Sequence, residues 1–175
     1  DVWVLPIDGS ALERMMLERP QITQARTSYT FRPDTQVLPA PVAPRVLNRP
    51  HSITADVEIP PGGAEGVLLC QGTNAGGWSF YVKDNRLHYA HNYVGRALYR
   101  ASSADPVPEG RHQLRFEFEP TDKPDVAQGK GAPGRAQLYI DGNLVGETDM
   151  PVTTPIAFSR LAMSAPIRAC GPSTS

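Results

Sequence analysis

"GGWSFYVKDNRLHYAHNYVG", residues 76–95, decides the fold. It gathers Trp78, Phe80, Tyr81, Tyr89 and Tyr93 with two histidines, which suits either an aromatic platform for a ligand or the inside of a β-sandwich. Lys83-Asp84-Asn85-Arg86 separates two alternating segments, and Asp and Asn tolerate the positive φ angles of tight hairpin turns. With Asp84 and Asn85 as the two turn residues, Val82 pairs with Leu87, Phe80 with Tyr89, and Trp78 with His91. The opposite face then holds Lys83 with Arg86, Tyr81 with His88, and Ser79 with Ala90. One face is large and apolar and the other mixed, the pattern of a strand that buries one side of a sandwich. Trp78 and Phe80 read as core. Tyr81 and His88 are left for the surface.

The flanking chain repeats this grammar. "HSITADVEIP" alternates, with Ile53, Ala55, Val57 and Ile59 inward and Thr54, Asp56 and Glu58 outward. "PPGGAEG" is a turn, "GVLLCQG" a more fully buried strand, and "ALYRAS" and "RHQLRFEFEP" are further strands, the latter with Leu114, Phe116 and Phe118 inward. Residues 120–134 form a long polar loop. "RAQLYIDGNLVGETDM" is a hairpin turning at Asp-Gly or Gly-Asn, "PIAFSRLAM" is one more strand, and "TSYTFRP" is another. Residues 36–50, with four prolines, are extended coil along an edge. "SALERMMLERP" is the one helix, with capping-box spacing between Ser10 and Glu13 and Pro20 beyond its end. The 18 prolines and 15 glycines fall mostly between alternating runs. The fold class is therefore all-β, an antiparallel sandwich with one short N-terminal helix.

Composition excludes several function classes. A net charge of −1 leaves no electrostatic footprint for nucleic acid or an anionic membrane. No apolar run is long enough to span a bilayer as a helix, and no signal peptide is seen, so the cytoplasm is the default location. Cys70, within an apolar strand, reads as a buried thiol, and with Cys170 it makes no disulfide framework. His88 and His91 point to opposite faces and cannot grip one metal ion. Glu117 with Glu119, and Asp56 with Glu58, share strand faces as glycosidase carboxylates do, but a solvated face with Arg115 partnering Glu117 explains them better. No nucleophile elbow, phosphate loop or dinucleotide fingerprint occurs. Tyr81, His88, Asn92 and Tyr93 remain as candidate ligand or interface residues, able to stack on and hydrogen-bond a sugar.

The run "NRPHSITADVEIPPGGAEGVLLCQGTNAGGWSFYVKDNRLHYAHNYVG", with "GRHQLRFEFEP" and "GKGAPGRAQLYIDGNLVGETDMPVTTP", resembles the C-terminal domain of bacterial type I arylsulfatases. The resemblance covers residues 1–158 and implies a concanavalin A-like, laminin-G-type jelly roll. It also implies a non-catalytic role, packing on a sulfatase catalytic domain or a dimer partner. Calcium and formylglycine would belong to that catalytic domain, so no cofactor is expected here. The tail "CGPST" matches Cys-x-Pro-Ser but has Thr174 where the formylglycine motif requires Arg, a chance match. Residues 1–20 then read as a linker and helix, 21–163 as the sandwich, and 164–175 as an irregular tail, possibly out of frame. A sandwich shortened in this way is expected to self-associate. The alternative reading is a free-standing carbohydrate-binding module.

Overall fold

The computed structural model describes residues 26–32, 35, 38, 43–73, 75–155, 161–162 and 168–169, the last two pairs as backbone only. The helix expected at residues 10–20, Cys170 and the decoy motif lie outside the described residues. Ten strands are described: β1 (His51–Ile59), β2 (Ala64–Thr73), β3 (Gly76–Lys83), β4 (Arg86–Tyr93), β5 (Ala97–Ser102), β6 (Gly110–Pro120), β7 (Gly134–Ile140), β8 (Asn143–Met150), β9 (Leu161–Ala162) and β10 (Arg168–Ala169). They form two antiparallel sheets. One runs β1-β6-β7-β8, the other β10-β2-β3-β4-β5, with β9 also on the outer edge of β2. This is the expected jelly-roll sandwich.

The 76–95 hairpin has the register anticipated from its turn. Asp84 and Asn85 hold φ of 50° and 58°, and Val82 faces Leu87, Phe80 faces Tyr89 and Trp78 faces His91. The apolar set points into the sandwich: Phe80, Val82, Leu87 and Tyr89 are all buried. There Tyr89 stacks on Phe116 of the other sheet with ring centroids 3.7 Å apart, and Phe80 packs against the same ring at 6.2 Å. Leu114, Phe118, Leu138 and Met150 complete the middle of the core. At the β5 side, the Ala104 amide donates to the Val145 carbonyl at 2.9 Å, so the two sheets are tied where their edges approach.

Four expectations are corrected. Residues 27–32 are not a strand: they are irregular, with Tyr29 stacked on Phe31. β2 is not uniformly buried, because a bulge at Leu68 shifts its register between Val67 and Leu69. After the bulge the parity inverts, so Gln71 is buried while Cys70 is half-buried on the outer face opposite Ser79, not a core thiol. The tail expected to be irregular contributes β10, which pairs with Ala64 and Glu65 of β2. The 120–134 loop is shortened by a 3-10 turn at Val126–Gln128, capped by Asp125, and by the Asp125–Lys130 bridge. β9 lies within the predicted "PIAFSRLAM" strand.

The β7–β8 hairpin turns on Asp141-Gly142, with Ile140 opposite Asn143. Asp141 Oδ1 accepts the Gln113 amide at 2.9 Å, and its Oδ2 lies 2.6 Å from His112 Nδ1. The Asp141 hydrogen bond holds His112 above its ordinary value of 6.5, with a smaller contribution from the Glu109 carbonyl. The Gln113 amide and then His112 hold Asp141 below its ordinary 3.8. A raised His stabilises the fold fully below its unfolded value and loses that contribution as pH rises through its folded value. A depressed Asp stabilises above its unfolded value and loses it as pH falls through its folded one. The pair should therefore stabilise most strongly between these limits. Asp141→Asn keeps the turn, and its deficit in Tm against the parent should be largest in mildly acidic buffer and shrink toward alkaline pH. A deficit that does not vary with pH would show that the ion pair contributes nothing.

Candidate functional site

The two outer faces of the sandwich differ in kind. On the four-stranded sheet the charges satisfy one another: Arg115 pairs with Glu117 at 2.8 Å, Arg135 with Asp149 at 3.1 Å, and Arg111 with Glu58 at 3.5 Å. Gln113 donates to Asp56, Gln137 donates to Glu147, and Arg115 lies 4.3 Å over the Tyr139 ring. Of the paired carboxylates, Glu117 and Glu58 are thus each held by an arginine and Asp56 by a glutamine amide on a solvated face. Among the described residues no three His, Cys, Asp or Glu side chains lie together as a metal site would require.

The other outer face is built by the registers of β2 to β5. Cross-strand partners share a face, so Tyr81 lies between Val67 and His88, with Ser102 beyond. The next row is Cys70, Ser79, Ala90 and Arg100. The row after it is Gly72, Gly77, Asn92 and Leu98. Small side chains at Ser79, Ala90 and the two glycines leave a low floor, bounded on one side by the Tyr81–His88 pair and on the other by the exposed Leu98.

Tyr81 and His88 are held as a unit, their rings 5.1 Å apart and 23° from parallel. His88 is locked at both nitrogens. The Lys83 carbonyl, 3.1 Å from Nε2, can only accept, so Nε2 carries the proton and Nδ1 meets the Ser102 hydroxyl at 2.8 Å. Tyr81's own hydroxyl has no hydrogen-bond partner among the described residues. Asn92 shares this face, four residues along β4 and so about 13 Å from His88. Its Oδ1 accepts the Gly95 amide at 2.8 Å and shapes the β4–β5 turn. Tyr93 is elsewhere: it points inward, is buried, and donates its hydroxyl to the Gly129 carbonyl. The structure therefore brings Tyr81 and His88 together, sets Asn92 apart on the same face, and removes Tyr93 from the surface.

A second polar locus lies inside. His51, Trp78, Tyr89, His91, Phe118 and Thr153 line a recess with room for roughly one water molecule. Trp78 Nε1 and His51 Nε2 are buried there with no hydrogen-bond partner among the described residues. His91 Nε2 accepts the Thr154 amide at 2.9 Å. The signal for this locus was the period-2 pattern: His51 continues the inward set Ile53, Ala55, Val57, and His91 falls opposite Trp78. What the pattern lacks is any sign that the two strands meet across the core.

No known protein family matches the chain, and no curated protein does. Among solved structures it is similar to a mouse laminin α1 chain comprising domains LG4-5, at 17% identity and a TM-score of 0.51, covering 79% of this chain and 34% of that one. It is also similar to a native heptameric SAP-like pentraxin from Limulus polyphemus, at 14% identity and a TM-score of 0.38, covering 72% of this chain and 54% of that one. Neither is a sulfatase, and nothing here adds to the arylsulfatase resemblance. The chain spans about a third of the laminin chain it matches, and at such identity the likeness shows the fold alone: a laminin G-like β-sandwich.

Proposed function

We propose that the chain is a non-catalytic recognition domain that presents the outer face of β2–β5 to a saccharide. The observation that carries this reading is the contrast between the two outer faces. One is tiled by its own ion pairs, whereas the other holds a pre-stacked aromatic pair beside a floor of small side chains. A pyranose has an apolar C–H face and a rim of hydroxyls. Tyr81 offers a ring for the first, and its hydroxyl, Ser79 and the exposed Arg100 guanidinium offer hydrogen bonds for the second. His88, fixed by Lys83 and Ser102, keeps the ring from reorienting and lowers the ordering cost of binding.

The exposed Leu98 on the same face favours a second reading, docking on another protein surface, which is the role implied by the arylsulfatase resemblance. A glycan array followed by calorimetry separates the two. Tyr81→Ala should weaken a saccharide hit by about tenfold or more, equivalent to about 1.4 kcal/mol, while Leu98→Ser leaves it nearly unchanged. Absence of any saccharide hit, or a hit indifferent to Tyr81, would remove the first reading and leave the second.

A further inference from the structure

The end of the sandwich around the recess is closed by loops rather than by strands, and a histidine fastens them. The Gly131 amide donates to the Thr153 carbonyl at 2.8 Å, and the Thr153 hydroxyl donates to the Ala132 carbonyl at 2.7 Å. Asn48 bridges both segments, accepting the Ala132 amide at 2.8 Å and donating to the Pro155 carbonyl at 3.3 Å. The whole knot is joined to the sheet through Thr154. Its amide donates to His91 Nε2 and its hydroxyl to the Asn92 carbonyl at 3.0 Å. Beyond it the chain returns to the edge of β2 as β9 and β10.

We propose that His91 is an acid-sensitive latch: neutral, it accepts the Thr154 amide proton and holds residues 153–155 across the end of the sandwich; protonated, it expels them.

The chemistry follows from the donor inventory. An amide N–H can only donate, so Nε2 must be the bare nitrogen and the ring proton sits on Nδ1. Adding a proton to Nε2 sets one N–H against another in a buried site; the Thr154 hydroxyl oxygen, 3.1 Å from Nε2, stays within reach as an acceptor, but the amide bond that closes the knot is lost. The titratable groups facing His91 do not favour its charge: His51 from β1, Tyr89 on its own strand, and Tyr99, its partner on β5. The Arg49 carbonyl accepts from His51 Nδ1 at 3.0 Å. No carboxylate among the described residues lines the recess. Burial first, and His51 second, push His91 down to about 4. Burial lowers His51 as well.

The sign follows from linkage. His91 is depressed in the closed state and ordinary in the open one, so closure is fully supported above 6.5 and weakens as pH falls toward about 4. Over that window each pH unit should multiply the opening constant by about ten.

The test is amide exchange on the full chain, corrected for the intrinsic pH dependence of exchange. Thr154, Gly131 and Ala132 should open about tenfold more for each unit below 6.5, while Phe80 and Phe116 stay protected. His91→Gln, whose amide oxygen can still accept from Thr154, should abolish that acid response, and His51→Gln should not. Should His91→Gln fail to fold, the wild-type ring nitrogens and the Thr154 amide shift are followed by NMR, and one common midpoint is expected. Separate midpoints, an acid response that survives His91→Gln or vanishes with His51→Gln, or simultaneous opening of the whole core would overturn the proposal.

Discussion

Truncating Phe80 to alanine should cost about 3–5 kcal/mol, measured by chemical denaturation. Its side chain has no exposure to solvent and packs against Phe116 of the facing sheet. Removing it deletes apolar contact at the middle of the core and leaves a cavity that Tyr89, already stacked on Phe116, cannot fill without giving up that stack. The internal control is one residue away. Tyr81→Ala on the outer face removes a ring of similar size but opens no core cavity, so its cost should be much smaller. Equal costs for the two would mean that the inward and outward faces of β3 have been exchanged.

That contrast also measures what could be read from residues alone. The 76–95 hairpin was legible because turn and pattern agree: Asp84-Asn85 supplies the two positive φ angles, and only that register puts every large apolar side chain on one face. β1 and β6 were legible for the same reason. β2 was not, because "GVLLCQG" gives no local mark of the extra residue at Leu68, and a one-residue bulge exchanges the faces of everything after it. The strand expected at "TSYTFRP" failed for a different reason: alternation shows that a segment could be extended but not that a neighbour is available to pair with it.

The candidate sites divide along the same line. The Tyr81–His88 pair is a cross-strand neighbour set by one tight turn, so its existence followed from local sequence. Tyr93 was misplaced through neglect of parity, since it shares its face with Tyr89 and His91 rather than with His88. The latch was out of reach, because His91 and Thr154 are 63 residues apart and meet only when the two sheets close and the 153–155 segment folds across their end. His51 enters the same recess from a third element. Such a site is a product of non-local packing, and no periodicity within a strand encodes it.

Gly77→Ala should be as damaging as any core truncation, although it removes nothing. Gly77 has φ of +138°, a backbone conformation L side chains rarely adopt, and it faces Gly72 across the β2–β3 ladder. A Cβ at this position would lie 2.2 Å from the Gln71 carbonyl oxygen and 2.3 Å from the Gly72 Cα. Both are backbone atoms, so no rotamer change can make room, and the strands must separate or shift. The adjoining pair is Gln71 with Trp78, both buried, so any shift propagates directly into the recess and the core. Backbone strain and overpacking together should cost about 3 kcal/mol or more. Gly142→Ala isolates the conformational part: its φ is +82° but nothing lies within 4 Å of the added methyl, so it should cost only about 1–2 kcal/mol. Denaturation midpoints of the two variants decide the matter, because a Gly77→Ala cost no greater than that of Gly142→Ala would mean that β2 and β3 do not approach closely at this pair.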